Sequence, residues 1–154
     1  MTLVVGDKAP DFTSVSDQNE VITLESLRGK NIVLYFYPKD NTPGCTREAI
    51  DFRDHFKSFL EKNTEVIGVS KDTPKCHDKF KKKHGLPFHL IADEDGDLCE
   101  AYGVLNKKSL FGKTFLGLSR TTFLIDAKGI IRAIWRKVKV KDHVQQVLDE
   151  LNKI

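Results

Sequence analysis

The sequence has only three cysteines, an odd number. A framework of structural disulfides is therefore not expected, whereas free thiols, reactive or simply buried, are. No apolar run approaches the roughly 20 residues that a membrane-spanning helix needs, so no membrane partner is expected. Residues 1–7 lack a basic stretch followed by an apolar one. They do not read as a signal peptide, and the expected location is cytoplasmic. Charge of one sign is not in large excess either, because 25 Lys and Arg face 22 Asp and Glu, a net charge of +3. That balance is too weak to imply a nucleic-acid partner. The sequence also shows no internal repeat, linker or low-complexity stretch.

What is present is an ordinary globular balance in 154 residues, with 40% hydrophobic and 31% charged side chains, which argues against disorder. That length suits a single domain spanning residues 1–154. Such a domain can bury a core without disulfide staples or a structural metal.

Residues 31–37 form a continuous apolar run, rich in β-branched and aromatic side chains and ended by Pro38. This predicts a strand buried on both faces. Pro43 suits the first turn of a helix. Ala49, Phe52, Phe56, Phe59 and Leu60 then keep helical spacing to about Lys62. Residues 66–69 predict a second buried strand, and Pro74 opens a second helix that ends near His84 and Gly85. A third strand is expected at residues 88–91 and a short helix at 95–102. Residues 121–125 and 130–135 flank Asp126-Ala127-Lys128-Gly129, a hairpin signal. Val144, Val147, Leu148 and Leu151 mark a closing amphipathic helix. Short extended pieces are expected near Phe12 and at Val21 and Ile22. Lys137, Lys139 and Lys141 read as a solvated face, alternating as one face of a strand would. This order predicts an α/β chain with a thioredoxin-like fold, a central mixed β-sheet flanked by helices.

The segment Pro38-Lys39-Asp40-Asn41-Thr42-Pro43-Gly44-Cys45-Thr46 joins the end of a buried strand to the start of a helix. α/β folds place ligands at such junctions. Cys45 falls in the first helical turn, where the helix dipole and free N–H groups stabilise a thiolate, the nucleophilic form. Thr42 fits the N-cap, with a hydroxyl that can cap a backbone N–H or contact a bound oxygen. Cys76 lies in the first turn of the second helix, four residues before Phe80, so packing is as good a reading for it as chemistry. Cys99, beside Leu98 and near Tyr102, reads as a small packed residue. Cys76 and His77 with His84 lack a second close ligand pair, so no metal site is expected.

Pro38-x-x-x-Thr42-x-x-Cys45 resembles the active-site signature of peroxiredoxins. The fuller strings Phe36-Tyr37-Pro38-Lys39-Asp40 and Thr42-Pro43-Gly44-Cys45-Thr46 resemble the peroxiredoxin Q, or bacterioferritin comigratory protein, branch. Ser119-Arg120-Thr121-Thr122-Phe123-Leu124-Ile125-Asp126 is similar to that branch's arginine segment, and Lys113-Thr114-Phe115-Leu116-Gly117 also fits. So does Gly6-Asp7-Lys8-Ala9-Pro10-Asp11-Phe12. The resemblance spans nearly the whole chain.

It implies a thiol peroxidase that reduces hydrogen peroxide and organic hydroperoxides without a cofactor. Cys45 would be the peroxidatic nucleophile, converted to a sulfenic acid. Arg120 would lie beside its sulfur, lowering the thiol pKa and orienting the peroxide. Thr42 and backbone N–H groups would bind the peroxide oxygens, and Pro38 would wall the pocket. Glu48 would hold Arg120 by an ion pair, since a carboxylate near a thiolate needs a cation to neutralise it. By itself Glu48 reads equally well as a carboxylate favoured in the first helical turn. The resemblance also implies thioredoxin or another thiol as reductant, and a monomer.

Many members of the branch carry a second cysteine five residues after the first, where this chain has Ile50. Others place it on the second helix, near Lys81. The candidates to resolve a Cys45 sulfenic acid are, in order, Cys76, an external thiol and Cys99. Two neighbouring functions stay open. A thioredoxin-like disulfide oxidoreductase would normally use two cysteines two residues apart, and Glu48 stands at the second position. A peroxide sensor would oxidise at Cys45 with little turnover.

Overall fold

The structure is a computed structural model and describes residues 2–154. Two short strands, β1 (Thr13–Val15) and β2 (Val21–Thr23), pair antiparallel where short extended pieces are expected. A single 3-10 turn leads into β3 (Asn31–Phe36), followed by helices α1 (Pro43–Asp54) and α2 (Phe56–Leu60). Next come β4 (Thr64–Ser70), α3 (Pro74–His84), β5 (His89–Ala92) and the short α4 (Asp97–Ala101). Two hairpins follow, β6 (Leu105–Leu110) with β7 (Lys113–Leu118) and β8 (Thr121–Ile125) with β9 (Ile131–Arg136). Helix α5 (His143–Leu151) closes the fold.

Five strands form the main sheet in the order β5-β4-β3-β8-β9. β3, β4 and β5 are parallel, while β8 runs antiparallel to β3, and β9 antiparallel to β8. This is the expected mixed sheet with helical crossovers, thioredoxin-like in architecture. β3 is central and covered on both faces, which explains an apolar run without polar alternation.

Alternate residues of β3 feed two separate cores. Ile32, Leu34 and Phe36 pack with Ile67, Ile91, Phe123 and α4 residues Leu98 and Cys99. Val33, Tyr35 and Tyr37 pack on the other face with α1 residues Cys45 and Phe52, Phe80 of α3 and Val147 of α5. The sheet therefore stands between Cys45 and Cys99, while α1 and α3 share one face.

Two expectations need correction, and one hairpin had none. The helix expected to reach Lys62 breaks at His55, whose backbone leaves helical geometry (φ −105°, ψ 5°). Its ring Nδ1 lies 2.8 Å from the Asp51 carbonyl, a local side-chain bond that competes with helix continuation. Lys137, Lys139 and Lys141 are not on a strand. Lys137 adopts a left-handed φ of 51°, which ends the pleat after β9. The β6–β7 hairpin has no counterpart among the sequence expectations. Among the described residues no helix is long and apolar enough to cross a membrane.

Candidate active site

The junction after β3 builds the site. Thr42 takes an extended N-cap conformation (φ −83°, ψ 150°) and Pro43 starts α1, so Cys45 lies in its first turn. The thiol is 1% exposed. Antiparallel pairing sets Thr121 of β8 opposite Phe36, at the end of β3. Arg120, one residue earlier, is thereby delivered to the same end of the sheet. Its Nη2 donates to Cys45 Sγ at 3.4 Å, and its Nη1 donates to Glu48 Oε1 at 2.8 Å. Gly44 makes room for this: a Cβ there would lie 3.1 Å from Arg120 Nη2.

The guanidinium thus faces a sulfur and a carboxylate together. Burial works to discharge Arg120, but Glu48 and Cys45 outweigh it and push its pKa above the ordinary value. Glu48 is fully buried. Burial pushes its carboxyl up to about 7, against the opposing pull of Arg120. Its Oε2 has no hydrogen-bond partner among the described residues. A cation at hydrogen-bond distance from the sulfur supplies a donor to an oxygen that gains charge beside it.

Thr42 behaves differently from a capping residue. Its hydroxyl donates to the Lys39 carbonyl at 2.8 Å and makes no cap bond. The Cys45 N–H is therefore left without a side-chain cap, and the Thr42 lone pairs stay available as acceptors. Pro38 is exposed just past the end of β3. A groove of about 720 Å³ runs beside the site, lined by Gly44, Arg47, His55, Val140 and Val144 among others.

Sequence reasoning missed the network beneath the loop. Asp40 is buried; Oδ1 accepts from the Tyr37 hydroxyl at 2.6 Å, and Oδ2 lies 2.6 Å from His77 Nδ1. His77 Nε2 lies 2.9 Å from the Ile91 carbonyl. Both ring nitrogens thus face oxygen atoms that can accept a hydrogen bond. The Asp40 N–H donates to Asp72 Oδ2 at 2.9 Å, and so does Ser70 Oγ at 2.6 Å. Ligand atoms of Asp40, Asp72 and His77 lie within 4.8 Å of one another, close enough to consider a metal. Their hydrogen bonds to one another and to Tyr37, Ser70 and Ile91 make them a structural network instead. Tyr37 and Asp40 carried a signal, inside the motif; Ser70 comes from the end of β4, Asp72 from the loop after it and His77 from α3.

Cys76 is half-buried at the start of α3, and its N–H donates to Thr73 Oγ1 at 3.1 Å. Its thiol lies 3.8 Å from Asp72 Oδ1. Burial, followed by the negative charge of Asp40 and Asp72, pushes it up to about 11. Cys99 is fully buried, and burial followed by Asp93 drives its thiol far above the ordinary range. All three cysteines are free. A further buried group, His143 of α5, sits with Nε2 2.8 Å from Thr122 Oγ1. Burial and then the charge of Arg120 lower its pKa to about 4, so the ring is neutral at pH 7. No motif marked it.

Comparison with known proteins adds independent findings. The AhpC/TSA family profile matches residues 5–134. The chain is 52% identical over 151 residues to peroxiredoxin Bcp of Bacillus subtilis, covering 98% of this chain and 96% of that protein. It is 50% identical over 151 residues to a putative peroxiredoxin bcp of Coxiella burnetii, covering 98% and 100%. Among solved structures, it is similar to a bacterioferritin comigratory protein of Xanthomonas campestris studied for alkyl peroxide reduction. That match has a TM-score of 0.90 and 39% identity over 92% of this chain and 90% of that one.

Proposed function

The chain belongs to the AhpC/TSA family and is a thiol peroxidase of the peroxiredoxin Bcp branch, and we propose that Cys45 is its peroxidatic nucleophile. The observation that carries this reading is the guanidinium of Arg120, bound to the Cys45 sulfur on one side and to Glu48 on the other.

The thiolate attacks one peroxide oxygen along the O–O axis. The S–O bond forms as the O–O bond breaks, and the electron pair leaves with the far oxygen. That oxygen takes a proton and departs as water or an alcohol, leaving Cys45 as a sulfenic acid. Arg120 and the uncapped first-turn N–H groups stabilise the charge on the departing oxygen. Thr42, whose own proton is committed to Lys39, accepts from the O–H of the peroxide. Glu48 holds the guanidinium in place. Pro38, at the rim, borders the entrance. The groove lined by Val140 and Val144 gives room for the organic part of a hydroperoxide.

Cys76 is the resolving thiol in this reading, because α3 lies on the same face of the sheet as α1. Cys99 lies across the sheet and is set aside. A disulfide needs Cα atoms about 4.4–6.8 Å apart, so the first turns of α1 and α3 open locally to form it. Opening also takes Cys76 away from Asp40 and Asp72, which hold its thiol protonated. A thiol reductant, with thioredoxin the leading choice, then restores both cysteines. A monomer in the cytoplasm completes the proposal, and three free thiols suit that reducing compartment.

Intact mass after one equivalent of hydrogen peroxide tests the assignment. Wild type should lose two hydrogens, Cys76→Ser should gain one oxygen, and Cys45→Ser should leave peroxide unconsumed. A gain of one oxygen in wild type would replace Cys76 with an external thiol. Peroxide consumption by Cys45→Ser would remove Cys45 from its role.

A further inference from the structure

We propose that the β6–β7 hairpin docks on an anionic lipid surface, with its tip inserted into the headgroup region. The hairpin leaves the body of the protein at Leu105 and Leu118, and residues 106–116 are exposed throughout. Its apolar side chains should avoid water, yet Phe111 is 94% exposed, Leu116 62%, Leu110 57% and Phe115 46%. Such a patch on a folded chain marks a surface that something covers. Phe111 also holds a left-handed φ of 52°, uncommon for a bulky residue, which keeps its ring at the turn.

The register identifies the kind of cover. Leu116 stands opposite Lys107, whereas Phe115 stands opposite Lys108, and Leu110 opposite Lys113. Paired residues share a face and successive residues alternate. Apolar side chains therefore occupy both faces of the ribbon as well as its tip. A flat protein surface covers one face of a ribbon. A lipid layer surrounds the tip on all sides.

Charge identifies the kind of lipid. Residues 101–141 contain ten Lys and Arg and a single acid, Asp126. The rest of the chain is left with 15 bases against 21 acids, so the net charge of +3 conceals a strongly basic region. Lys107, Lys108, Arg136 and Lys137 line one cavity of about 520 Å³ at the hairpin base, set back from the apolar tip. Apolar side chains at the tip, flanked by Lys113 at the turn and by Lys107 and Lys108 opposite Leu116 and Phe115, match an acyl boundary beneath anionic headgroups. This reverses the expectation of no membrane partner, which rested only on the lack of a spanning segment. β7 runs directly into Ser119 and Arg120, so docking brings the peroxidase pocket to the lipid surface. That consequence rests on the Cys45 reading, whereas docking itself does not.

Flotation of the full chain with vesicles, without peroxide, tests the proposal. Vesicles of phosphatidylglycerol and phosphatidylcholine should bind it about tenfold more tightly than phosphatidylcholine alone. Phe111→Asn with Leu116→Ser should weaken that binding about tenfold, with the thermal unfolding curve unchanged. Lys107→Gln with Lys113→Gln should reduce the preference for the anionic vesicles. Absence of binding to anionic vesicles, or binding indifferent to the tip substitutions, would overturn it. So would a vesicle-free dimer that the tip substitutions dissociate, since the occupant would then be a second copy of the chain.

Discussion

Two places in this molecule share one local design. Thr42-Pro43-Gly44-Cys45 opens α1, and Thr73-Pro74-Lys75-Cys76 opens α3. In each, an extended Thr is the N-cap, Pro is the first helical residue and Cys lies in the first turn. The helix dipole treats both sulfurs alike, yet their surroundings differ. Cys45 receives a guanidinium hydrogen bond, whereas Cys76 faces Asp72, and its thiol is pushed up to about 11. The caps differ too: Thr73 occupies the Cys76 N–H, while Thr42 turns away to Lys39 and leaves the Cys45 N–H uncapped. If Cys45 is the nucleophile, as proposed, a helix N-terminus is not sufficient to make a reactive thiol. In the proposed reading, the charge of Arg120, delivered just before β8, decides between the two.

The largest effect should come from removing that charge. Arg120→Ala should slow the reaction of Cys45 with peroxide by about 10²–10³-fold, measured by stopped flow, because a donor to the developing oxyanion is lost. An unchanged rate would dissolve the contrast. From the other side, Asp72→Asn should bring the Cys76 thiol down toward the ordinary range. Its alkylation at pH 8 should rise about tenfold, with the Cys45 peroxide rate unaffected. No change in alkylation would mean that Asp72 does not restrain Cys76.

The smallest effect concerns stability around Arg120. His143 has its pKa lowered in the fold from 6.5 to about 4. A depressed folded pKa means the unfolded chain binds the extra proton first. The contribution is therefore present above pH 6.5 and lost as pH falls through 4, on the order of 3 kcal/mol in all. His143→Gln should flatten that part of the stability–pH curve in urea titrations, whatever its effect at pH 7. A slope equal to wild type would show that His143 is not held neutral beside Arg120.

The comparison also marks what could be read in the sequence. The apolar run of β3 and the Pro-to-Gly limits of α3 are local signals, and both elements form where expected. Cys45, Glu48 and Arg120 were recognisable through motifs, although 75 residues separate the thiol from its arginine. Asp72, beside Cys76, carried no such mark, because Asp40, Asp72 and His77 meet only when β4 and α3 pack behind the loop. Thr42 was read as a cap from its position, but its hydroxyl turns away to donate to the Lys39 carbonyl and accepts no cap bond. The break at His55 accompanies a ring that reaches the Asp51 carbonyl, a local contact no pattern in the sequence marks. The β6–β7 hairpin has apolar and basic residues on both faces, so it lacks the one-sided alternation that betrays a strand packed on a core.

Competition between the two cysteines tests the account most directly. Wild-type protein would be treated at pH 7 with less than one equivalent of hydrogen peroxide, its sulfenic acid trapped with a dione reagent and located by peptide mass. The label should fall on Cys45, and Arg120→Ala should lose most of it. Equal labelling of Cys45 and Cys76, or labelling of Cys45 that survives without Arg120, would contradict the claim that the guanidinium selects the nucleophile.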